Sequence, residues 1–460
     1  MRKLFKTTSN IILLLSIIAI SSCKKEKEAK TNYDLIISNV NLIDGTGKDL
    51  QKNANIYIKD SKISKIDTAT IVNKSHKNVI DGEGKYLIPG LFDCHAHTGD
   101  FKGDFPRFMH YGVTSILITG GSTCTNDYFR QMREMGKQDS VPAPRVFHTS
   151  QHFIVEGSHP VKTYTSSNWK EGSTYFILKD TTQISKLVKK VSEYPISGIK
   201  LTIEDGPYPP YVKRMPKEFV DHVNKEALKN GTRVFAHVSD NVELKMAIDA
   251  GIKNLLHYTG VDLNFEKDKE LIQRIYRDSI SWVTTLMLDK SMMYPKNPEW
   301  FDVEDLKEIY PTEEFEKMND PDYIYRAEEF VKFFQKYYDF DDPTLKQVIG
   351  FQVEDFMQLS KNGVNMVLGT DTGNDFILPG YSLHEEMQLL ELGGMAPGKI
   401  IKMGTLNAAK MLKVENRLGS IEVGKLADMV LLDENPLESI SNTLKINSVF
   451  KNGKAQIRIE

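Results

Sequence analysis

From residue 91 onward the chain alternates short apolar runs with longer polar, periodic stretches, and it does so eight times. The runs occupy residues 91–97, 113–120, 145–150, 198–203, 233–238, 254–259, 281–288 and 364–371. Short apolar runs spaced by helix-length segments read as buried parallel strands joined by crossover helices. Eight such units in succession predict a (β/α)8 barrel, a TIM barrel in the α/β class. No solenoid-length repeat competes with this reading. Composition agrees: 40% hydrophobic and 26% charged residues suit a packed globular core and exclude a disordered chain or a multi-span membrane protein. Lys and Arg number 59 against 62 Asp and Glu, a net charge of −3, so no basic surface asks for nucleic acid.

The flanks have a different texture. Residues 33–86 hold short strands that alternate apolar and polar side chains, with turns at Asp44-Gly45 and Asp81-Gly82. Residues 413–460 return to short strands. The two ends are expected to form one small β-sandwich beside a barrel spanning 87–412. Within the barrel, residues 301–343 form an insertion with 14 acidic, 5 basic and 11 Phe or Tyr residues. Its aromatic spacing predicts a helix that either packs a stripe on the barrel or covers its mouth. Residues 1–22 have a basic start (Arg2, Lys3, Lys6) and an apolar run over 11–20. That run is too short for a hydrocarbon core of about 30 Å and reads as an export signal. Ile20-Ser21-Ser22-Cys23 resembles a bacterial lipobox. It predicts lipidation of Cys23, a tether over 23–32, and a membrane-anchored protein of the cell envelope with its globular part in the periplasm. Cys94 and Cys124 remain, too few for a disulfide scaffold, and are expected to be free and buried.

In such a barrel the chemistry sits at the C-terminal ends of the strands. Strand one ends in His95-Ala-His97, strand four contains Lys200, strand five ends near His237, strand six at His257 and strand eight at Asp371. Residues two apart on a strand face the same side, so His95 and His97 can reach one ion together. A lone histidine on an apolar strand is most often a core residue. Four imidazoles and a carboxylate at four strand ends point instead to a nitrogen-and-oxygen metal site, with zinc the default. Lys200 lies inside an apolar strand, where an isolated cation is costly. It must snorkel, pair with an acid, or add carbon dioxide as the neutral amine. The resulting carbamate is a two-oxygen anionic ligand able to bridge two metals. His159, in the loop after strand three, and Tyr211, near Tyr208, Lys213 and Arg214, are candidates for binding a substrate carboxylate or carbonyl.

These residues resemble the metal-dependent amidohydrolase superfamily, and the likeness runs from about residue 39 to 453. It is carried by Ile88-Pro-Gly-Leu-Phe-Asp-Cys-His95-Ala-His97, by Gly369-Thr-Asp371, and by the C-terminal stretches Thr405-Leu-Asn-Ala-Ala-Lys-Met-Leu, Gly419 to Asp428 and Leu431 to Pro436. The imidazolonepropionase-like and prolidase-like branch is the most similar. The resemblance implies a barrel flanked by a β-sandwich from both termini, and two divalent metal ions. His95 and His97 would hold one ion, completed by Asp371. His237 and His257 would hold the other, with Lys200 as a carbamate bridging both. It implies hydrolysis of an amide or peptide-like C–N bond of a small molecule by a metal-activated hydroxide, with Asp371 moving the proton. Cyclic amide, lactone or ester hydrolysis is the alternative. A deaminase on this scaffold usually has a Glu three residues after the strand-five histidine, where this chain has Asp240. A non-catalytic solute-binding lipoprotein should have lost a ligand, yet all six positions are filled. Asn407, Gly419, Gly424 and Asp428 read as structural, and oligomeric state is left open.

Overall fold

Each of the eight expected runs contributes a strand shorter than itself: Leu91–Ala96, Val113–Ile118, Arg145–His148, Ile199–Thr202, Val234–His237, Asn254–Leu256, Ser281–Val283 and Asn365–Val367. These come from a computed structural model that describes residues 32–457 except 70–77, 166, 207–210, 259–260, 262, 302–309, 311 and 339–341. The export signal and Cys23 lie outside the described residues. Strands one to three pair in parallel, as do strands four to eight. The ring closes between strands eight and one, where Cys94 N–H donates to Leu368 O, Asp371 N–H to His95 O and His97 N–H to Thr372 O.

Two local departures matter for the site. Strand three is broken. Arg145–His148 pairs with strand two, then the chain re-enters the sheet as His152–Ile154, which pairs with strand four and sets His152 opposite Lys200. A further strand, Tyr175–Ile177, runs parallel to that second piece. Three-residue strands are too short to show alternation, so 152–177 reads as loop in the sequence. The run 281–288 is also split: its strand stops at Val283 and a helix, Met287–Met293, begins four residues later. Thr285, at φ 61°, turns the chain between them.

The crossover helices start where the sequence offers caps. Thr125, Asp180 and Asp240 each accept a hydrogen bond from the backbone N–H three residues on, which satisfies an otherwise orphaned donor. Thr344 and Gln347 form a reciprocal capping box for Leu345–Lys361. Phe92, Cys94, Leu117, Phe235, Leu256, Val283 and Val367, drawn from six strands, form one cluster closed by Ala408, Met411 and Leu412. Cys94 and Cys124 are free and buried.

The strands of the two termini meet as expected, joined in one mixed sheet of eight strands. Tyr86–Pro89 is the seam: it lies parallel to Leu35–Leu42 and antiparallel to Met429–Leu432. The sheet also curls back, since Lys62 bridges Leu426 and Ile63 N–H donates to Lys425 O. Its core (Ile37, Val40, Ile56, Leu87, Met429, Phe450) is separate from that of the barrel. Asp428 ties the two together: it accepts from Arg145 Nε at 2.7 Å and from Asn452 N at 2.8 Å. In the insertion, Pro321–Tyr338 is helical. Phe301 stacks on Tyr294 at 4.8 Å, Phe315 packs on Phe301, and Tyr323 meets Phe376 edge-on, so these three side chains pack toward the barrel while Tyr325 is exposed.

Candidate active site

The strand-end residues converge. Asp371 Oδ1 lies 3.3 Å from His95 Nε2 and 3.0 Å from His97 Nε2, and its Oδ2 lies 3.9 Å from His257 Nδ1. Lys200, 1% exposed, places Nζ 3.4 Å from His95 Nε2. The His237 and His257 rings are 4.1 Å apart, and those of His257 and His95 4.2 Å. All six residues predicted from the strand ends therefore share one locus.

The backbone is bent to achieve this. His257 and Asp371 have φ of 70° and 63°, a left-handed conformation rare outside glycine and sustained only by surrounding structure. For Asp371 that structure is visible: its N–H donates to His95 O, and Asp93 joins strands one and eight by accepting from His95 N, Thr370 N and Thr370 Oγ1. Gly120 has φ 95°, and a Cβ there would stand 2.6 Å from the His152 ring; only glycine lets its carbonyl reach His97 Nδ1 at 2.7 Å.

That last contact bears on what fills the site. A carbonyl only accepts, so His97 Nδ1 carries a proton, and its Nε2 is the ring nitrogen that lies against Asp371 Oδ1. His95 Nδ1, His257 Nε2, Asp371 Oδ1 and Glu204 Oε2 are buried atoms without a hydrogen bond, which is exceptional in a folded protein. Burial holds the His95 and His237 imidazoles well below their ordinary range and brings His257 down to about 3 despite the Asp371 charge. All three are neutral near pH 7, the form that ligates metals. Burial raises the Asp371 carboxyl, but His257, His97 and Lys200 outweigh it and bring it to about 2. Ligand atoms about 2.1 Å from an ion stand roughly 3.4 Å apart in a tetrahedron, close to the spacings seen here. The donor set fits divalent metal ions.

Sequence reasoning overlooked Glu204. It is 1% exposed, and its Oε2 lies against His237 Nε2 and 3.8 Å from His159 Nε2. Burial, and then Glu243, push its carboxyl well above the usual range. A signal was present: Lys200 and Thr202 share one face of strand four, and Glu204 continues that spacing just beyond the strand's end. His152 was overlooked too; its Nδ1 meets Thr202 Oγ1 at 3.0 Å and its ring packs edge-on to Trp169.

These residues open into a cavity of about 550 Å³, within the usual range for small-molecule sites. Its outer wall includes Tyr164, Trp169, Leu288 and Met292, with Lys317 and Tyr323 of the insertion. Lys317 pairs with Asp375 at 2.6 Å. The insertion thus packs on the barrel and also borders the mouth. His159 lines the cavity. Tyr211 does not; it is 62% exposed. Tyr208 lies outside the described residues. Arg214 is engaged by Asp205, Asp240 and Glu243 at 2.8, 2.5 and 3.0 Å, and Asp240 caps the helix Asn241–Asp249. Neither faces the cavity wall.

The sequence profile of the amidohydrolase family matches residues 86–455. The chain belongs to the amidohydrolase family. Ochratoxinase of Aspergillus niger is 24% identical over 457 residues, covering 90% of this chain and 84% of its own. A 5-methylthioadenosine/S-adenosylhomocysteine deaminase of Clostridium tetani is 22% identical, covering 91% and 88%. A crystal structure of an Xaa-Pro dipeptidase with bound methionine shares the fold at a TM-score of 0.70, covering 92% of this chain and 99% of its own at 22% identity. This amidohydrolase is an enzyme, a hydrolase of carbon–nitrogen bonds.

Proposed function

We propose that this amidohydrolase cleaves the amide or peptide-like bond of a small molecule with two divalent ions, zinc by default. The observation that carries the reading is Asp371: a buried carboxylate within 3.9 Å of three imidazoles, on the wall of a substrate-sized cavity. His95, His97 and Asp371 would hold one ion and His237 and His257 the other, with Lys200 between them. Ions held there lower the pKa of water and polarise a carbonyl. Asp371 accepts the proton of the attacking water and delivers it to the departing nitrogen. Thr285 Oγ1, 3.1 Å from His257 Nδ1, and the Gly120 carbonyl fix two of the rings, as supports of metal-binding histidines commonly do.

Burial, opposed by Asp371 and Glu204, brings the Lys200 amine down to about 8. An appreciable neutral fraction then exists near pH 7, and the neutral amine is the form that adds carbon dioxide. The proposed carbamate is tested with ¹³C-bicarbonate: a carbamate resonance is expected in the wild type and absent from Lys200→Arg. Amide hydrolysis is favoured over deamination because Asp240, at the position where a deaminase usually has Glu, is held in a helix cap and by Arg214. The deciding experiment is a screen of zinc-loaded protein against dipeptides, N-acyl amino acids, small lactones and aminopurine nucleosides. Amide cleavage is expected. Nucleoside deamination with no amide turnover would refute the reading.

Export with lipidation at Cys23 is a proposal resting on residues 1–23 alone. In this proposal membrane attachment comes through the acyl chains at Cys23; among the described residues no helix is long and apolar enough to cross a membrane. Cys23→Ala should move the protein from the membrane fraction to the soluble one; an unprocessed wild-type N-terminus would refute it.

A further inference from the structure

Resting on the amide-hydrolase reading, we propose that the outer part of the cavity is an apolar subsite, and that the substrate is an amide carrying an aromatic or branched aliphatic group beside the scissile bond. The helix Met287–Met293, which follows strand seven, shows this most directly. Leu288 and Met292 are its two half-buried residues, and all the others are buried. Both line the cavity. They stand four positions apart, so they share one face of the helix at successive turns.

A second wall comes from the excursion after strand three. Trp169 borders the same cavity and is held by three contacts. Its Nε1 donates to Tyr164 O at 3.2 Å, and its ring meets those of His152 and Tyr175 edge-on at 5.5 and 6.3 Å. The His152 ring stacks on that of His97 at 6.4 Å, so the indole stands one ring away from a proposed metal ligand. A group bonded next to the scissile amide can reach it. Tyr323 of the insertion adds a further aromatic side chain. The charges at this end offset each other, Lys317 against Asp375. Apolar side chains left half-buried in a concave wall are stabilised when an apolar group covers them. A polar group placed there would lose water without finding a partner. The polar locus thus orients the carbonyl, and the apolar wall selects what is attached to it.

The test is a comparison of kcat/KM for zinc-loaded enzyme on matched amides that differ in one apolar group. The sets are dipeptides with alanine, leucine or phenylalanine on either side of glycine, and alanine acylated with acetyl, isovaleryl or phenylacetyl. In at least one set the wild type should favour the larger apolar group by at least about tenfold, the scale of hydrophobic-pocket discrimination. The set that shows the preference tells which side of the bond the subsite takes. Met292→Gln and Trp169→Ala should each slow the favoured substrate at least about fivefold more than the smallest member of its set, and Met292→Leu should keep the preference. Rates are referred to metal-loaded enzyme, so that a disturbed metal locus does not pass for a lost subsite. A wild type indifferent to the apolar group in every set, or variants that slow all members alike, would overturn the subsite and leave amide hydrolysis standing. A wild type that cleaves no amide would overturn the reading on which it rests.

Discussion

Replacing Asp93 by alanine tests whether strands one and eight are held in register by a single side chain. Asp93 is fully buried. Its Oδ1 accepts from His95 N and Thr370 N, both at 3.1 Å, and its Oδ2 from Thr370 Oγ1 at 2.7 Å. Alanine leaves two backbone N–H groups and one hydroxyl without this acceptor. Each orphaned buried donor costs about 1–3 kcal/mol. The Thr370 hydroxyl can rotate away, and removing the carboxyl relieves its own desolvation, so the net expected loss is about 3 kcal/mol. Burial, opposed by these same hydrogen bonds, pushes the Asp93 carboxyl up to about 7. A neutral amide is therefore a fair substitute: Asn keeps an oxygen for the two N–H groups and should lose no more than about 1 kcal/mol. Urea unfolding of the three proteins at pH 7 measures both differences. Turnover should fall in Asp93→Ala, because His95 and Asp371 leave the sheet at the positions Asp93 clamps, and should largely survive in Asp93→Asn. An alanine variant within 1 kcal/mol of wild type, or an asparagine variant as unstable as alanine, would refute the reasoning.

Asp371→Asn keeps shape but removes the base; kcat should fall by at least ~10²-fold, with a smaller loss of bound metal measured by elemental analysis. Arg214→Met leaves Asp205, Asp240 and the buried Glu243 facing one another without their shared cation. Because the guanidinium is partly exposed, the expected loss of unfolding free energy is discounted to about 2 kcal/mol and should shrink at lower pH as Glu243, which burial raises to about 7, takes up a proton. His384 is buried between Thr443 and Tyr111 O, and burial brings it down to about 4. The unfolded chain, with an ordinary value near 6.5, binds the proton first. Stability from this group is complete above about pH 6.5 and is lost as pH falls toward 4, by roughly 3 kcal/mol. His384→Gln should flatten the stability curve by about that amount over the interval, measured by unfolding at several pH values.

The sequence by itself determined the eight barrel strands and marked the six strand-end residues that the fold brings together. Buried parallel strands must be apolar throughout, so polar residues inside them stand out, and His95, His97, Lys200, His237, His257 and Asp371 were readable for that reason. The helix caps were equally local, because a cap needs only a side chain and the next turn of backbone. What the tertiary structure decided was everything that depends on two distant segments meeting. Strand three is one apolar run that pairs first with strand two and then with strand four; the break is imposed by closing a ring, not by a turn residue. Arg214 and Asp240 look like free polar groups until folding sets them against each other. Tyr211, a plausible substrate contact by position, is left at the surface. Glu204 and His159 are 45 positions apart and acquire meaning only where the excursion after strand three folds back over strands four and five. Side-chain periodicity records which face a residue takes on its own element. It carries no record of which other element will lie opposite, and in this protein that second fact assembles the site.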